Sequence, residues 1–325
     1  MHIVVTGGAG FIGSHLVDYL LANTGATVTA LDNFSTGKRS NLAHIDNNRL
    51  NLVTGDVRDE AVVRETVEQA DKVYHLAAAV GVEKIVNEPL ESLQVNLTGT
   101  ENVLEAAVTD KTPVFIASSS EIYGRNEDIP FTEKHDRVLG PPTAMRWSYA
   151  TAKATDEYMG LAYHDRHDVP VVIGRFFNTV GPRQSGQYGM VIPTFVQQAL
   201  NKKALTVYGD GTQTRCFGHV KDVVDIVHTL MNTPSVHGEV FNIGSQNSTT
   251  INHLAERVLE LTESDAGMTH IPFSEVYGED FEEPARREPD VSKLHDAVGW
   301  VPDGNLNRIL DDVITHYRNN GGDSG

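Results

Sequence analysis

Near the start of this 325-residue chain stands the turn Gly7-Gly8-Ala9-Gly10-Phe11-Ile12-Gly13. The apolar run His2–Thr6 before it predicts a β-strand, and the run Ser14–Asn23 after it predicts a helix. In such a unit Gly7 permits a tight turn, Gly10 lets a diphosphate approach the backbone, and Gly13 lets helix and strand pack closely. The diphosphate is expected at the N-terminus of the helix. The stretch therefore predicts a dinucleotide-binding unit.

The second predicted strand is followed by an acidic residue. Thr27–Leu31 is apolar, and Asp32 stands about 20 residues beyond the glycine turn. A carboxylate there accepts hydrogen bonds from ribose hydroxyls and repels a 2′-phosphate, so NAD is predicted as the cofactor rather than NADP. The further cofactor contacts that we predict are Phe11, Ile12, Asn33, Ser35, Asp56, Val57, Leu76, Ala77 and Ala78.

Strands and helices alternate through the first half of the chain, which predicts an α/β fold with a Rossmann-type, doubly wound parallel sheet. Leu50–Thr54 predicts a third strand, after which Asp56 is placed to hold the adenine amino group. Val73–Ala77 predicts a fourth strand whose small residues let the cofactor pass closely. A helix at Ser92–Ala107 and a strand at Val114–Ala117 follow. The site is then expected at the carboxyl ends of these strands.

Polar groups beyond the fifth strand predict chemistry on an alcohol. The stretch Ser118–Glu121 ends that strand, and about 30 residues later a helix carries Tyr149 and Lys153. Residues four apart lie on the same helix face. The Lys153 ammonium is predicted to lower the pKa of Tyr149, so that the phenol can act as a base. Ser119 is predicted to hold the substrate oxygen that Tyr149 deprotonates.

The second half of the chain predicts a smaller, partly discontinuous substrate-binding part. Residues 125–147 predict a long loop across the mouth of the site, and the helix of Tyr149 is expected to run to about Asp168. Further elements are predicted at Val171–Phe176, Val191–Asn201, Leu205–Tyr208, Val220–Asn232 and Val240–Ile243. We predict an NAD-binding domain of residues 1–178 plus 216–245, a substrate domain of residues 179–215 and 246–325, and a disordered tail at 319–325.

Composition excludes several classes of protein. The formal net charge is −18, which argues against nucleic-acid binding because that needs a basic face. No run is long enough to span a bilayer, and the first residues indicate a strand rather than a signal peptide. A cytoplasmic protein with no membrane partner is therefore expected. The single Cys216 excludes an internal disulfide, and the 14 histidines form no ligand pattern, so no metal site is predicted.

Together these motifs resemble those of the extended short-chain dehydrogenase/reductases that act on nucleotide sugars. Besides the glycine turn, the acidic strand ends and the Tyr149/Lys153 pair, the resemblance rests on Arg175–Asn178 and on Gly209–Arg215. It covers nearly the whole chain, as far as Val298–Pro302. It implies a UDP-sugar substrate and a homodimer formed through Ser92–Ala107 and the Tyr149 helix.

The same resemblance implies where the substrate binds. Asn178 and Arg215 would hold the diphosphate, and residues near Val191 and Tyr208 would line the base pocket. Arg183, in the run after Asn178, is predicted as a further substrate contact.

Three reactions stay open after a first step that the family shares. In that step Tyr149 takes the proton of the sugar C4 hydroxyl while hydride passes to NAD⁺, which gives a 4-keto sugar. A 4-epimerase of UDP-glucose or UDP-glucuronate needs no further acid or base, and loop 186–193 resembles that of epimerases, while segment 79–84 lacks the decarboxylase pattern. A 4,6-dehydratase carries an Asp-Glu pair where this chain has Ser120-Glu121, so the acid of that pair is missing.

The function that we predict is that of a UDP-glucuronate decarboxylase, giving a UDP-4-keto-pentose or UDP-xylose. Ser120–Gly124, Arg146-Trp147 and Arg287–Asp290 resemble those enzymes. A 4-keto-6-carboxylate loses CO₂ readily, but it needs a cation to place the carboxylate and an acid to reprotonate C5. By the resemblance, Arg287 and Glu121 carry this step, with Ser120 beside them.

The alternative from another class is a non-catalytic NAD-sensing module, in which at least one of the serine, tyrosine and lysine of the catalytic set would be expected to be missing. Ser119, Tyr149 and Lys153 are all present, so the sequence favours an enzyme.

Overall fold

The computed structural model describes residues 1–79, 81, 88–186, 190–277 and 286–320. The strands are β1 (His2–Thr6), β2 (Thr27–Asp32), β3 (Leu50–Thr54), β4 (Lys72–His75), β5 (Val114–Ser119), β6 (Val171–Phe176), β7 (Thr179–Val180), β8 (Leu205–Tyr208), β9 (Thr214–Cys216), β10 (Gly218–His219), β11 (Glu239–Ile243), β12 (Ser248–Thr250), β13 (Met268–Ile271) and β14 (Arg286–Arg287). Seven of them form one parallel sheet in the order β11-β6-β5-β4-β1-β2-β3. The predicted α/β class and parallel sheet are confirmed.

Helices alternate with these strands along the chain. They are α1 (Phe11–Asn23), α2 (Glu60–Val67), α3 (Pro89–Val108), α4 (Ser148–His167), α5 (Val191–Leu200), α6 (Val220–Met231), α7 (Ile251–Thr262), α8 (Phe273–Tyr277), α9 (Ser292–Val298) and α10 (Leu306–Asn319). Among the described residues, none of the helices is both long enough and apolar enough to cross a membrane.

The central sheet is buried on both faces. Ile3 and Val5 of β1 point into one apolar core, which α1 and α6 complete. Val4, between them, points into a second core together with residues of α2 and α3. The same alternation separates Phe115 from Ile116 in β5. Side chains alternate across a strand, so buried faces on both sides require the nearly continuous apolar runs that the sequence shows.

The strand order reverses at β1, which lies between β4 and β2. In doubly wound sheets a crevice opens at such a point, beyond the carboxyl ends of the strands. The glycine turn, Asp32 and Ser119 all lie at these ends. The fold therefore brings the predicted cofactor and catalytic residues to one edge of the sheet.

A separate apolar core lies in the second half of the chain, where α5, α7 and α10 pack together. Small strand pairs lie beside it, and one of them matters for the site. In that sheet β14 pairs with β9 in parallel, with Arg287 opposite Arg215. Residues that are far apart in sequence thus lie side by side.

Most predicted element positions are confirmed within a few residues, and the differences have local causes. α1 begins at Phe11 rather than Ser14, because Gly10 is already its N-cap. β4 ends at His75, so Leu76 and Ala77 follow the strand rather than belonging to it. The predicted disorder at the tail is wrong for Asn319, which is the last residue of α10. Residues 321–325, and parts of loops 79–84 and 186–193, lie outside the described residues.

Candidate active site

A cleft follows the carboxyl edge of the sheet from the glycine turn to the start of α4. Gly7 has a φ of +68°, and a Cβ atom there would lie 2.8 Å from the backbone nitrogen of Ala77. A Cβ atom at Gly13 would lie 2.1 Å from the carbonyl oxygen of Gly7. Both positions therefore require glycine, as predicted. Every residue predicted to contact the cofactor lines this cleft except Asp56.

Asp32 is buried where β2 enters the cleft. Its carboxylate accepts hydrogen bonds from the N–H groups of Ala9 (2.9 Å) and Phe34 (2.8 Å). Burial raises the pKa of Asp32, and these backbone hydrogen bonds oppose the rise. The two contacts fix the carboxylate against the glycine turn. Each carboxylate oxygen keeps acceptor capacity, which suits a ribose hydroxyl.

Asp56 has partners within the protein. Its carboxylate accepts hydrogen bonds from Nε (2.9 Å) and Nη2 (2.7 Å) of Arg58 and from Nδ2 of Asn33 (2.9 Å). These contacts, led by those of Arg58, hold the pKa of Asp56 well below its usual range. Its neighbour Val57 lines the cleft. Contact of Asp56 with adenine stays a prediction.

Tyr149 and Lys153 lie on one face of α4 at the far end of the cleft, and both are buried. Ser119, at the end of β5, lies beside the Tyr149 phenol and lowers its pKa. The structure thus brings together the three residues that the sequence assigned to the first chemical step.

The protonation state of Tyr149 differs from the sequence expectation. Burial raises the pKa of the phenol, the charges of Glu121 and Asp156 add to the rise, and the hydrogen bond with Ser119 opposes it. Lys153 donates a hydrogen bond to Asp156 at 3.0 Å. The expectation was that Lys153 lowers the pKa of Tyr149. The net effect of the protein is the opposite, because burial dominates.

A cluster of charged side chains, here called the Glu121 cluster, comprises Glu121, Arg146, Arg215 and Arg287. Arg287 donates a hydrogen bond from Nη1 to Oε1 of Glu121, and Nη1 of Arg146 lies 3.7 Å from Oε2. Burial raises the pKa of Glu121, but the three arginines outweigh it and lower the pKa to about 2. Glu121 is therefore ionised at neutral pH.

Four chain segments build the Glu121 cluster. Glu121 lies in a 3₁₀ turn, Ser120–Tyr123, directly after β5, where Ser120 is buried. Arg146 lies in a second 3₁₀ turn immediately before α4. Arg215 and Arg287 come from the paired strands β9 and β14. Like charges side by side destabilise a strand pair, so the Glu121 carboxylate stabilises this arrangement.

Sequence reasoning did not place Arg146 among the site residues. The run Arg146-Trp147, just before Tyr149, contributed to the resemblance to UDP-glucuronate decarboxylases, but no role was assigned to the arginine. The guanidinium stacks on the Trp147 ring at 5.1 Å from the centroid, and the side chain is 10% exposed. Such a contact limits the rotamers of the arginine and keeps it directed at Glu121.

A buried polar network that the sequence did not predict fixes β5 relative to α4. Glu157 of α4 accepts hydrogen bonds from the Ser118 hydroxyl (2.5 Å) and from Nε (2.9 Å) and Nη2 (2.7 Å) of Arg175. Arg175 also donates to the Tyr123 hydroxyl at 2.8 Å, and Tyr123 donates to Asn242 at 2.7 Å. Paired and hydrogen-bonded buried charges of this kind hold one geometry. The network therefore orients the strand end that carries Ser119.

The remaining predicted substrate residues lie in different surroundings. Asn178 has a φ of +33° and donates to the carbonyl of Cys216 at 3.0 Å, next to Arg215. Tyr208 packs at an angle against Phe273, with 6.5 Å between ring centroids, and Val191 is the first residue of α5. The structure does not bring Arg183 to the Glu121 cluster.

Arg183 instead donates to Asp18 of α1 at 2.5 Å. This ion pair links the loop after β7 to the first helix, so substrate contact by Arg183 stays a prediction. No group of three or more histidine, cysteine, aspartate or glutamate side chains that could bind a metal occurs within the described part of the chain.

Comparison with known proteins finds relatives that match nearly the whole length of this chain. It is 40% identical over 316 residues to the UDP-N-acetyl-alpha-D-glucosaminuronate decarboxylase of Bacillus cytotoxicus, with 97% of each chain covered. It is 36% identical to UDP-glucuronic acid decarboxylase 2 of Arabidopsis thaliana, covering 98% of this chain and 68% of the relative.

The solved structure of UDP-glucuronic acid 4-epimerase from Bacillus cereus, in complex with UDP-glucuronic acid and NAD, has a similar fold. Its TM-score is 0.88 at 28% identity, and the match covers 98% of this chain and 99% of the other. The family model described as GDP-mannose 4,6 dehydratase matches residues 4–313. The chain therefore belongs to that family, within the extended short-chain dehydrogenase/reductases that its motifs indicated.

Proposed function

We propose that the chain is an NAD-dependent decarboxylase of UDP-uronic acids, which oxidises the sugar at C4 and then releases C6 as CO₂. The observation that carries the proposal is the contact of Arg287 with Glu121, next to Tyr149 and Ser119. An epimerase needs no acid or base beyond the shared pair, whereas decarboxylation needs both a cation and a proton donor. The curated relatives described above have this activity.

The residues of the cleft fit NAD. The bare backbone at Gly7 and Gly13 leaves no Cβ atom in the path of a diphosphate, and the Asp32 carboxylate suits an unphosphorylated ribose. Bound NAD⁺ would supply the hydride acceptor for C4 and a positive nicotinamide charge near Tyr149. A positive charge near a phenol lowers its pKa, which offsets the effect of burial.

In the first step Ser119 and Tyr149 act on the C4 hydroxyl. Ser119 holds the substrate oxygen and keeps it within reach of the phenol, beside which it lies. Tyr149 as phenolate accepts the hydroxyl proton as the C4–H bond breaks. The ketone at C4 lies β to the C6 carboxylate.

In the second step Arg287 exchanges partners. Its guanidinium leaves Glu121 and binds the substrate carboxylate, with C5–C6 held perpendicular to the plane of the ketone. The Arg287 charge, which is the largest of the effects that lower the pKa of Glu121, is then neutralised by the substrate, so the proton affinity of Glu121 rises. The C5–C6 bond breaks, CO₂ leaves, and the electron pair forms the enolate. Glu121 takes a proton from solvent and passes it to C5 of the enolate, which completes a UDP-4-keto-pentose, or UDP-xylose if the hydride returns to C4.

The class of substrate is set by the carboxylate and not by the group at C2. One curated relative is named for the N-acetylated uronate and the other for UDP-glucuronic acid, and both sugars carry the C6 carboxylate that Arg287 would bind. Arg215 and Asn178 would hold the diphosphate, and Tyr208 and Val191 the base.

A 4-epimerase is the second candidate, because solved structures of epimerases match this fold closely. In that case Arg287 would clamp the diphosphate and Glu121 would only hold Arg287 in place. A 4,6-dehydratase is disfavoured, since Ser120 stands where that reaction needs an acid. A non-catalytic NAD-sensing module would not need the contact between Ser119 and Tyr149.

The direct test is product analysis. The protein is incubated with NAD⁺ and, separately, with UDP-glucuronate, UDP-N-acetylglucosaminuronate and UDP-glucose, and the products are identified by mass while CO₂ is trapped. We expect CO₂ from at least one uronate and none from the Tyr149→Phe variant. Equal product and substrate mass with every sugar, and no CO₂, would replace the proposal with an epimerase. A product of UDP-glucose lighter by one water would indicate a dehydratase.

We also propose a homodimer and the division into two domains predicted from the sequence. Leu90 of α3 and Tyr158 of α4 are 67% and 66% exposed, which supports burial of these helix faces against a second copy. Light scattering of the Tyr158→Glu variant should show a monomer, whereas the native chain should have twice that mass. A native monomer at micromolar concentration would contradict this arrangement.

A further inference from the structure

Asp156 stands one turn beyond Lys153 on α4, and its side chain is among the most deeply buried charged groups described. Its carboxylate accepts the Lys153 ammonium at 3.0 Å, with side chains that are 0% and 2% exposed. Carboxylates that deep in a protein are rare unless they are paired. Burial raises the pKa of Asp156, and the charge and hydrogen bond of Lys153 oppose the rise. Lys153 is therefore both the partner of Asp156 and a member of the catalytic pair.

Several neighbouring elements contribute polar groups around this ion pair. On α4 itself lie Tyr149 and Glu157, and the Glu157 carboxylate is occupied by Arg175 of β6. Thr100 of α3 lies beside the Asp156 carboxylate and also bonds to His75 of β4 at 3.2 Å.

His75 and the Glu121 cluster complete this charge environment. Burial and Lys153 lower the pKa of His75 to about 3, so its ring is neutral. Glu121 and Arg146 also face the site. They lie in the two 3₁₀ turns that precede and follow the long loop before α4. The charge of Asp156, on the same helix as the phenol, adds to the rise of the Tyr149 pKa, and the charge of Glu121 adds more.

We propose that Asp156 is a positioning residue for the catalytic pair, which fixes the Lys153 ammonium and offsets part of its charge as felt at the Tyr149 phenol. The inference rests on the proposed role of Tyr149 in C4 oxidation, but not on the later fate of the 4-keto sugar. Two consequences separate it from a purely structural role. The ammonium has one fixed direction, and the phenol becomes a base only at higher pH than Lys153 alone would set.

Replacement of Asp156 by Asn tests the charge and keeps a hydrogen-bond acceptor for Lys153. The rate of NADH formation in a single turnover is measured against pH, since its acid limb reports the ionisation of Tyr149. We expect this limb to move to lower pH by about 1 unit, the low end of the shift that a nearby charge produces.

A spectroscopic readout accompanies the kinetic one. Tyrosinate absorbance is titrated in NAD⁺-loaded protein, and the Tyr149→Phe variant in the same background is subtracted, so that the difference reports Tyr149 alone. The midpoint should move in the same direction as the kinetic limb. Asp168→Asn, an exposed carboxylate at the end of the same helix that pairs with Lys111, is the matched control and should move neither.

The result that overturns the inference is an Asp156→Asn protein that folds and binds NAD⁺ but keeps the native pH profile, with rates lowered by the same factor at every pH. Asp156→Ser, which leaves room for water to bond to Lys153, repeats the test if the Asn variant is unstable. A Tyr149→Phe variant with native turnover would instead refute the proposed function, so the two failures are distinguishable.

Discussion

The site has a cofactor end, at the glycine turn, and a proposed sugar end, at the Glu121 cluster. The two ends offer positive groups to an anionic ligand from different parts of the chain. At the cofactor end, the backbone of the glycine turn and the N-terminus of α1 face the position of the diphosphate. At the sugar end, the Glu121 cluster uses side chains from four separate segments. The formal charge of −18 makes this local supply of positive groups necessary, since the overall field repels an anionic substrate.

The two ends therefore differ in role: one binds the cofactor, and the other decides which reaction the 4-keto sugar undergoes. A backbone site cannot change its charge, so it binds the same group in every member of a family. In the Glu121 cluster, one carboxylate is contacted by Arg287 and Arg146 and is influenced by the charge of Arg215. In the proposed mechanism Arg287 exchanges Glu121 for the substrate carboxylate. The shared first step therefore belongs to the rigid end and to α4, whereas the fate of the 4-keto sugar depends on the cluster.

The largest effect is expected for Tyr149→Phe, because Tyr149 lies where the cofactor end meets the sugar end and is the proposed base of the first step. The ring packing stays, but the proton acceptor is lost, so reduction of bound NAD⁺ by any substrate should fall by at least ~10²–10⁴-fold. Stopped-flow absorbance of NADH measures it, and NAD⁺ affinity by calorimetry serves as the control. Turnover close to native would mean that α4 does not carry the base.

Arg287→Lys tests the sugar end alone. The ammonium keeps the charge but loses the planar fork that holds a carboxylate at two points. We expect the loss of a buried charge contact to cost roughly 2 kcal/mol or more in CO₂ release, with single-turnover NADH formation much less affected. Equal losses in both steps would assign Arg287 to the diphosphate and favour the epimerase.

The sequence predicted well which residues line the cofactor end of the cleft, because most of them lie in short runs at the ends of successive strands. The glycine turn, Asp32 and the strand ends needed only the alternation of strands and helices to be placed together. The exception is Asp56, where Arg58 two residues later supplies an ion pair that no spacing rule indicates.

The sugar end was predicted only in part. Glu121 and Arg287 came from a family resemblance, and their contact joins residues 166 apart. Arg146 belongs to a run that resembles the decarboxylases, but it was missed as a site residue because only the fold brings it to Glu121. The sequence did not predict the raised pKa of Tyr149, because burial and the nearby carboxylates of Glu121 and Asp156 are properties of packing that the pattern alone does not show.

Acid titration tests how strongly the arginines at the sugar end stabilise the Glu121 carboxylate. Its pKa is about 2 against an ordinary 4.5, so the ion pair contributes stability above pH 4.5 that is lost as the pH falls towards 2. The shift corresponds to at most about 3 kcal/mol, less because the side chain remains 23% exposed. The free energy of unfolding, from urea titrations in this window, should fall more steeply for the native chain than for Glu121→Gln. Parallel curves would show that the arginines do not stabilise the carboxylate.

The smallest effects are expected at the cofactor end, where two carboxylates can be compared directly. Asp32→Ala should weaken NAD binding by about 1.5–3 kcal/mol, the range of a hydrogen bond to a charged group. Asp56→Ala should cost less, about 0.5–1.5 kcal/mol, because Arg58 already neutralises that carboxylate and the pair is partly exposed. Calorimetry with NAD and NADP measures both variants. If Asp56→Ala weakened binding more than Asp32→Ala, or if the native chain bound NADP more tightly than NAD, the ribose contact would not lie at Asp32, and the preference for NAD would need another origin.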